Sequence, residues 1–352
     1  MNRTSRFAAF SALVLLLSSA SAVYGQAKIN LDEGRWVSLG GGLRSAFRST
    51  QAASSGPYVQ KINLDSVRLY VNTLLHKDFQ VEFNTEYVAP VSDLRVLDAV
   101  VKYAPSEYFN VWMGRHLPPS DRANLDGPYF LSTFDYPGLV SRYPAIFAGR
   151  DNGVAFSGQV RGGKFKYAFG IYDGMTTIGG AKDNMLYATR FVVNLLEPEP
   201  GYYNSSTYYG EKDVLAIGFV AQHQADVAGT LANPKGFTGS NIDLLFEKKV
   251  AAGGAVTLEG AVYNFDYDNA LPGEDGSAFM AQGGFLFPKV IGIGKIQPMY
   301  RYQDFRDDSV STIGVNYVIR GHGARVSVNY SRLDLQATGK TNQFTVGTQF
   351  QF

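Results

Sequence analysis

The sequence predicts an all-β fold, a transmembrane antiparallel β-barrel of about sixteen strands, and three observations predict it. The last twelve residues, 341–352, read T-N-Q-F-T-V-G-T-Q-F-Q-F. Phe344, Val346, Thr348, Phe350 and Phe352 fall on one face and Gln343, Thr345, Gly347, Gln349 and Gln351 on the other, the period of two that a strand imposes. The composition combines no cysteine, 38 glycines, 22 tyrosines and 24 phenylalanines with a mean hydropathy of only -0.10. Aromatic richness with mild hydropathy is what strands with one face to lipid and one to water produce. Finally, alternating segments recur along the chain, each near the roughly 9–11 residues that a tilted strand needs to cross a membrane. The alternative for the last segment is the closing strand of a soluble sandwich.

Taken in order, the chain opens with Arg3 and Arg6, an apolar run from Phe7 to Leu17 broken by Ser11, and small residues. This is a secretory signal peptide over residues 1–27, cleaved after Ala22 or Ala27, which leaves residues 28–352 as the barrel domain. The run is too short to span a bilayer as a helix, and no later segment approaches 18 consecutive apolar residues. Strands are then expected over 36–48, 66–75, 79–88, 94–103, 108–114, 151–161, 165–172 and 185–195. The second half supplies 214–224, 241–248, 255–266, 277–287, 296–304, 310–319, 324–334 and 342–352.

The connections alternate too. Residues 76–78, 104–107, 162–164 and 321–323 are tight, and those at the other end are mostly longer, matching short periplasmic turns and long external loops. One breaks the pattern: 196–213, containing Glu197-Pro198-Glu199-Pro200-Gly201, falls where a short turn belongs. It is either a miscounted strand or an elaborated turn. The longest connection, 115–150, carries five prolines and the aromatics Tyr129, Phe130, Phe134, Tyr136, Tyr143 and Phe147. Such a loop is functional or disordered, and its aromatics argue for order. It is a constriction loop with Arg122, Asp126, Arg142 and Arg150 as its charged residues, or else an external plug or a subunit contact.

A charge facing lipid at mid-membrane costs about 2–4 kcal/mol, which fixes the faces. Basic residues assigned to the lumen are Arg44, Arg48, Arg68, Lys102, Arg161, Lys166, Arg190, Arg301 and Arg325; the acidic set includes Glu82, Glu86 and Asp98. If the last strand closes on the first, Arg301, Arg325, Arg44, Arg48 and Arg68 occupy neighbouring staves, with Glu82, Glu86 and Asp98 beyond them. That segregation sets a transverse field able to steer anions, unless these arginines only solvate the lumen and pair with nearby carboxylates. Gly40-Gly41-Gly42 lacks the following helix of a phosphate loop and reads as relief where another chain segment approaches.

Other chemistries find little support. His76, His116, His223 and His322 lack metal-ligand spacing to one another, so no metal, cofactor or enzyme activity is expected; calcium at Asp121, Asp126 and Asp135 is the weaker reading of solvated loop charges. The formal charge of +1 becomes about -1 without Arg3 and Arg6, a balance that gives no support to nucleic-acid binding.

Leu64-Asp65-Ser66-Val67-Arg68-Leu69-Tyr70, Lys77-Asp78-Phe79, Met113-Gly114-Arg115 leading to Pro118, and Gly149-Arg150-Asp151-Asn152-Gly153-Val154 resemble the phosphate-selective porin O and P family, as does Tyr208-Tyr209-Gly210-Glu211-Lys212-Asp213-Val214. The resemblance implies a sixteen-stranded, homotrimeric porin in the outer membrane of a Gram-negative bacterium, with loop three inside the pore. The last strand separately resembles the closing strand of bacterial outer-membrane barrels, which implies Phe352 as part of the signal read by the barrel assembly machinery; the family resemblance adds outer-membrane lipid around the barrel and small hydrophilic solutes or anions as cargo. The family's phosphate-selective members combine inward arginines with a central lysine cluster, and this chain has the arginines without the cluster. The reading is therefore a passive diffusion porin with an anion or phosphate preference. A channel specific for a small organic acid or sugar, and a structural or adhesion barrel with a plugged pore, are the alternatives.

Overall fold

The computed structural model describes residues 27–32, 34–88, 93–178 and 184–352; apart from Ala27, the expected signal peptide lies outside the described residues. The strands are β1 Ala27–Asp32, β2 Arg35–Gln51, β3 Tyr58–His76, β4 Phe79–Val88, β5 Asp93–Tyr103, β6 Asn110–His116, β7 Asp151–Val160, β8 Phe165–Tyr172 and β9 Leu186–Asn194. They continue as β10 Val214–Thr230, β11 Asn233–Val250, β12 Gly254–Asp266, β13 Gly276–Leu286, β14 Val290–Ile291, β15 Gly294–Phe305, β16 Asp308–Arg320, β17 Ala324–Leu335 and β18 Gly339–Gln351. An α-helix, α1 Arg122–Phe130, lies between β6 and β7.

Of these eighteen strands, β1 and β14 are short additions and the other sixteen close an antiparallel barrel. Closure is made by β18 on β2, in register from Gln343↔Thr50 to Gln351↔Gly42. The terminal residue continues it: the Phe352 N–H donates to the Gly41 carbonyl at 3.0 Å and the Gly41 N–H returns the bond at 3.1 Å. Below that point β1 takes over the same edge of β2, pairing Ala27 with Leu39 and Asp32 with Arg35, so the backbone edge left where β18 ends is not exposed.

Each of the sixteen expected segments is a strand. The differences are at their outer ends, where β2, β3, β10 and β11 run well past the expected limits. Those extensions carry polar residues such as Ser49, Thr50, Gln60 and Lys61. Above the lipid both faces meet water, so the alternation that marks a strand in the sequence disappears although its ladder continues.

The two faces separate as the lipid penalty requires. Leu39, Leu43, Leu69, Phe83, Met113, Phe169, Phe219 and Ile313 are exposed on the outer face. Arg44, Arg68, Asp98, Lys102, Arg190, Arg301 and Arg325 are buried on the inner one. Rings gather at the rim near the tight turns, with Phe79 and Tyr103 at 4.8 Å. No helix among the described residues is long and apolar enough to cross a membrane; the chain crosses with strands, as a barrel of the outer membrane.

Candidate functional site in the barrel lumen

The loop between β6 and β7 turns inward. Its helix α1 is broken at Gly127, whose φ of 60 and following Pro128 divide it into two short turns. Leu125, Tyr129, Leu131 and Phe134 are nearly fully buried, and two glycines of the wall make room for them. A Cβ on Gly42 would sit 2.6 Å from the Tyr129 ring, and one on Gly347 2.5 Å from the Phe134 ring. Any side chain there would push the loop off its seat. This is the close approach that the glycine run around Gly42 implied.

The arginine wall assembles on neighbouring staves as expected, but its guanidinium groups grip the loop. Arg325 donates to the Leu131 carbonyl at 2.6 Å and to the Ser132 and Thr133 carbonyls at 3.2 Å. Arg301 donates to Thr133 Oγ1 at 2.5 Å and the Asp135 carbonyl at 2.7 Å. Arg44 donates to the Phe134 carbonyl and lies 4.2 Å above that ring. Amides continue the pattern: Asn316 donates to the Ser132 carbonyl and Gln349 to the Tyr129 carbonyl, both at 2.8 Å. Carbonyls at and just beyond a helix C-terminus lack intrahelical donors and carry partial negative charge, so cations there anchor the loop.

The rest of the segregated charge is closed into pairs. Arg48 bridges Asp65 at 2.6 Å and Asp135 at 2.7 Å. Arg68 pairs with Glu86, Lys102 with Glu82, and Arg150 with Asp98 at 3.1 Å. Within these pairs basic and acidic charges offset one another, which leaves Arg44, Arg301 and Arg325 outside the ion pairs of the described residues. Arg142 sits at the loop's outer margin, paired with Glu274 and 4.7 Å above the Phe305 ring. Arg161 is a correction: β7 ends at Val160, and Arg161 opens the following turn with φ 53 and an exposed side chain. It lines no part of the pore, because a positive φ breaks the alternation that would have turned it inward.

Residues 195–213 resolve the anomaly in the connections. They form no strand; they rise into the lumen from the opposite end and meet the loop. Arg122 donates to both Glu199 oxygens, at 2.9 and 2.5 Å, and to the Ser205 carbonyl at 2.9 Å. Tyr208 adds its hydroxyl to Glu199 at 2.6 Å, Tyr202 donates to the Leu117 carbonyl at 2.9 Å, and the Ser206 N–H reaches the Phe130 carbonyl at 3.0 Å. The insert is fixed to the wall as well: Tyr202 stacks 4.6 Å from Trp112, and Thr207 donates to Glu247 at 2.7 Å. Of the two alternatives the sequence left open, an elaborated turn is the one found; the lumenal roles of Glu199, Tyr202 and Tyr208 were not assigned from the sequence, although the length and the tyrosines of the segment are the same signals that mark the external loop.

Behind the latch lies an acidic group. Asp121 accepts from Tyr263 at 2.9 Å and Ser141 at 3.0 Å; burial first, and the nearby Asp243 second, push it up to about 6. Asp126 is buried with both oxygens lacking a donor. Burial, reinforced by Glu259, Glu199 and Asp243 against the opposing pull of Arg122, holds it well above the ordinary range. Glu199 goes the other way: burial opposes ionisation, but Arg122 outweighs it and holds the carboxyl at about 2. Asp121, Asp126 and Asp135 have separate surroundings, and no group of metal-ligating residues occurs among the described residues. Two histidines are structural: His116 meets the Tyr172 hydroxyl at 2.9 Å within the wall, and His322 meets the Thr207 carbonyl of the periplasmic insert at 2.9 Å.

Two cavities flank α1. One of about 210 Å³ lies toward the tight turns and is lined by Leu125, Trp112, Lys166, Arg190 and Tyr202. The other, about 250 Å³, lies toward the external loops, lined by Arg68, Asn124, Gly127, Tyr136 and Arg150. The arrangement can sieve and orient small solutes.

No protein-family model matches the chain. An uncharacterised protein of Aquifex aeolicus is 25% identical over 81% of this chain and 75% of its own length. Among solved structures, the anion-selective porin from Comamonas acidovorans superposes with a TM-score of 0.61 at 16% identity, over 90% of this chain and 100% of that one. The outer-membrane protein OmpT of Vibrio cholerae, in its trimer form, gives 0.56 at 13% identity, over 91% and 100%. At these identities the likeness is one of fold, the outer-membrane barrel that porins share.

Proposed function

We propose that this barrel is a porin-type channel for passive passage of small hydrophilic solutes, narrowed by two inserts that meet in its lumen. The observation that carries the reading is the seat of the external loop. Its carbonyls are held by a ring of inward side chains from β2, β15, β16, β17 and β18, which is how a wall fixes a constriction at a set diameter.

An anion preference, rather than phosphate selectivity, fits the charges. Arg44, Arg301 and Arg325 have no carboxylate within salt-bridge reach among the described residues, but their donors are directed at the loop. They favour anions by field and offer no bare ladder for stripping phosphate of its water. A homotrimer and cleavage after Ala22 complete the proposal; the latter keeps Ala27 available to pair with Leu39.

Recordings in planar bilayers under a KCl gradient test it. Stepwise conductance with a modest reversal potential toward chloride supports the proposal, whereas cation selectivity removes the anion preference. The second reading, a plugged structural barrel, is favoured by the bonds that join the two inserts across the lumen, and predicts no conductance steps from correctly folded protein.

A further inference from the structure

The cavity near the tight turns is lined by a buried lysine that no carboxylate pairs with directly among the described residues. Lys166, on β8, is 6% exposed and points into it. Its one hydrogen-bonding partner is Asn204 Oδ1 at 3.2 Å, and it makes no ion pair among the described residues. The carboxylates nearby are already engaged: Glu199 by Arg122 and Tyr208, Asp243 by Arg190 through two nitrogens, one at 2.8 Å. The Asn204 amide nitrogen, also buried, has no acceptor. A buried ammonium without a counter-charge is costly, and so is an amide donor left unmet. An anion placed between them answers both.

The rest of the lining specifies the anion. Trp112, Leu125, Val192 and Tyr202 supply apolar and aromatic walls beside Lys166 and Arg190. Such walls suit an apolar body better than the hydration shell of an inorganic ion. The lining carboxylate Glu107 is exposed to solvent and accepts from Gln159 at 3.4 Å, so the buried surplus is the single positive charge of Lys166. We propose that this cavity is a binding subsite for a small organic monocarboxylate with an apolar or aromatic body, its carboxylate held by Lys166 Nζ and the Asn204 amide. The idea deepens the channel reading and rests on it: solutes of this class would pause here between the periplasmic end and α1.

The probe is benzoate, with benzamide and inorganic phosphate as controls. Added to the periplasmic side during chloride recordings, benzoate is expected to block in a concentration-dependent way. Benzamide and phosphate should not, and Lys166→Gln should weaken the block roughly tenfold or more, the loss typical of a charge-assisted hydrogen bond. The same titration is read without transport from the fluorescence of Trp112 in detergent-solubilised Trp36→Phe protein, Trp112 then being the one tryptophan left. Lys166-dependent quenching in a barrel that passes no current would keep the subsite and remove the channel. Equal responses to benzoate and benzamide, an equal response to phosphate, or full benzoate binding by folded Lys166→Gln protein would each overturn the proposal.

Discussion

Arg122 and Glu199 meet in the middle of the barrel although one enters from the external loop and the other from the periplasmic turn. Nη1 and Oε1 are 2.9 Å apart and Nη2 and Oε2 2.5 Å, with both side chains no more than 2% exposed. The pair joins two inserts that arrive from opposite ends of the barrel, so the width of the pore depends on both.

Glu199→Gln tests that dependence. Removing one member of a buried ion pair costs about 3–5 kcal/mol, because the other charge stays buried and unpaired. The inserts should separate, and amide hydrogen exchange in residues 117–150 and 195–213 should accelerate while the strands stay protected. Combining it with Arg122→Met should recover part of the loss; unchanged exchange in the single variant would show that the latch holds nothing.

Arg325→Met tests the wall. It removes three bonds to loop carbonyls and should loosen the loop by about 1.5–3 kcal/mol, the range for hydrogen bonds to charged groups. Single-channel recordings should become noisier, with the heat-modifiable barrel band on gels intact. A variant as quiet as wild type would mean that the loop is held elsewhere.

The seat should also respond to pH. An undocked aspartate titrates near 3.9, whereas docked Asp121 lies at about 6 and Asp126 is raised as well. A carboxyl raised on docking weakens docking as pH climbs from the undocked value through the docked one. Glu199 has the opposite sign: its contribution is complete above an undocked value near 4.3 and is lost only as pH falls toward about 2. The loop should therefore sit more firmly at about pH 5 than at about pH 7.5, and Asp121→Asn should flatten the difference. Exchange rates in residues 117–150, corrected for intrinsic rates, check this; firmer docking at the higher pH would refute it.

The barrel was legible because lipid imposes a strict alternation on every strand that crosses it, and the sixteen segments carry it. Gly42 announced a close approach, since a strand interior tolerates glycine best where something presses on it. What the sequence did not show was the destination of the charges. Facing inward is a property of one strand, but pairing Arg68 with Glu86, or turning Arg325 onto the Leu131 carbonyl, depends on where a distant loop lands. Arg161 was misplaced for a local reason, a positive φ just past the end of β7. The length of the 196–213 connection marked it as a miscounted strand or an elaborated turn; that the elaboration rises to meet the external loop depends on contacts such as Arg122 with Glu199, which no local pattern encodes.

Deleting Phe352 should reduce assembled barrel, because the residue supplies both backbone bonds that extend closure to Gly41. The amount of heat-modifiable protein in the outer membrane measures it. An equal amount from wild type and the deletion would assign closure entirely to 343–351.

The most direct measurement is the single-channel conductance of the barrel with residues 126–140 removed, compared with wild type. The account predicts a larger conductance and a reversal potential shifted further toward chloride, since the deletion both widens the lumen and frees Arg44, Arg301 and Arg325 from loop carbonyls. Unchanged conductance and selectivity in a folded, heat-modifiable variant would contradict it.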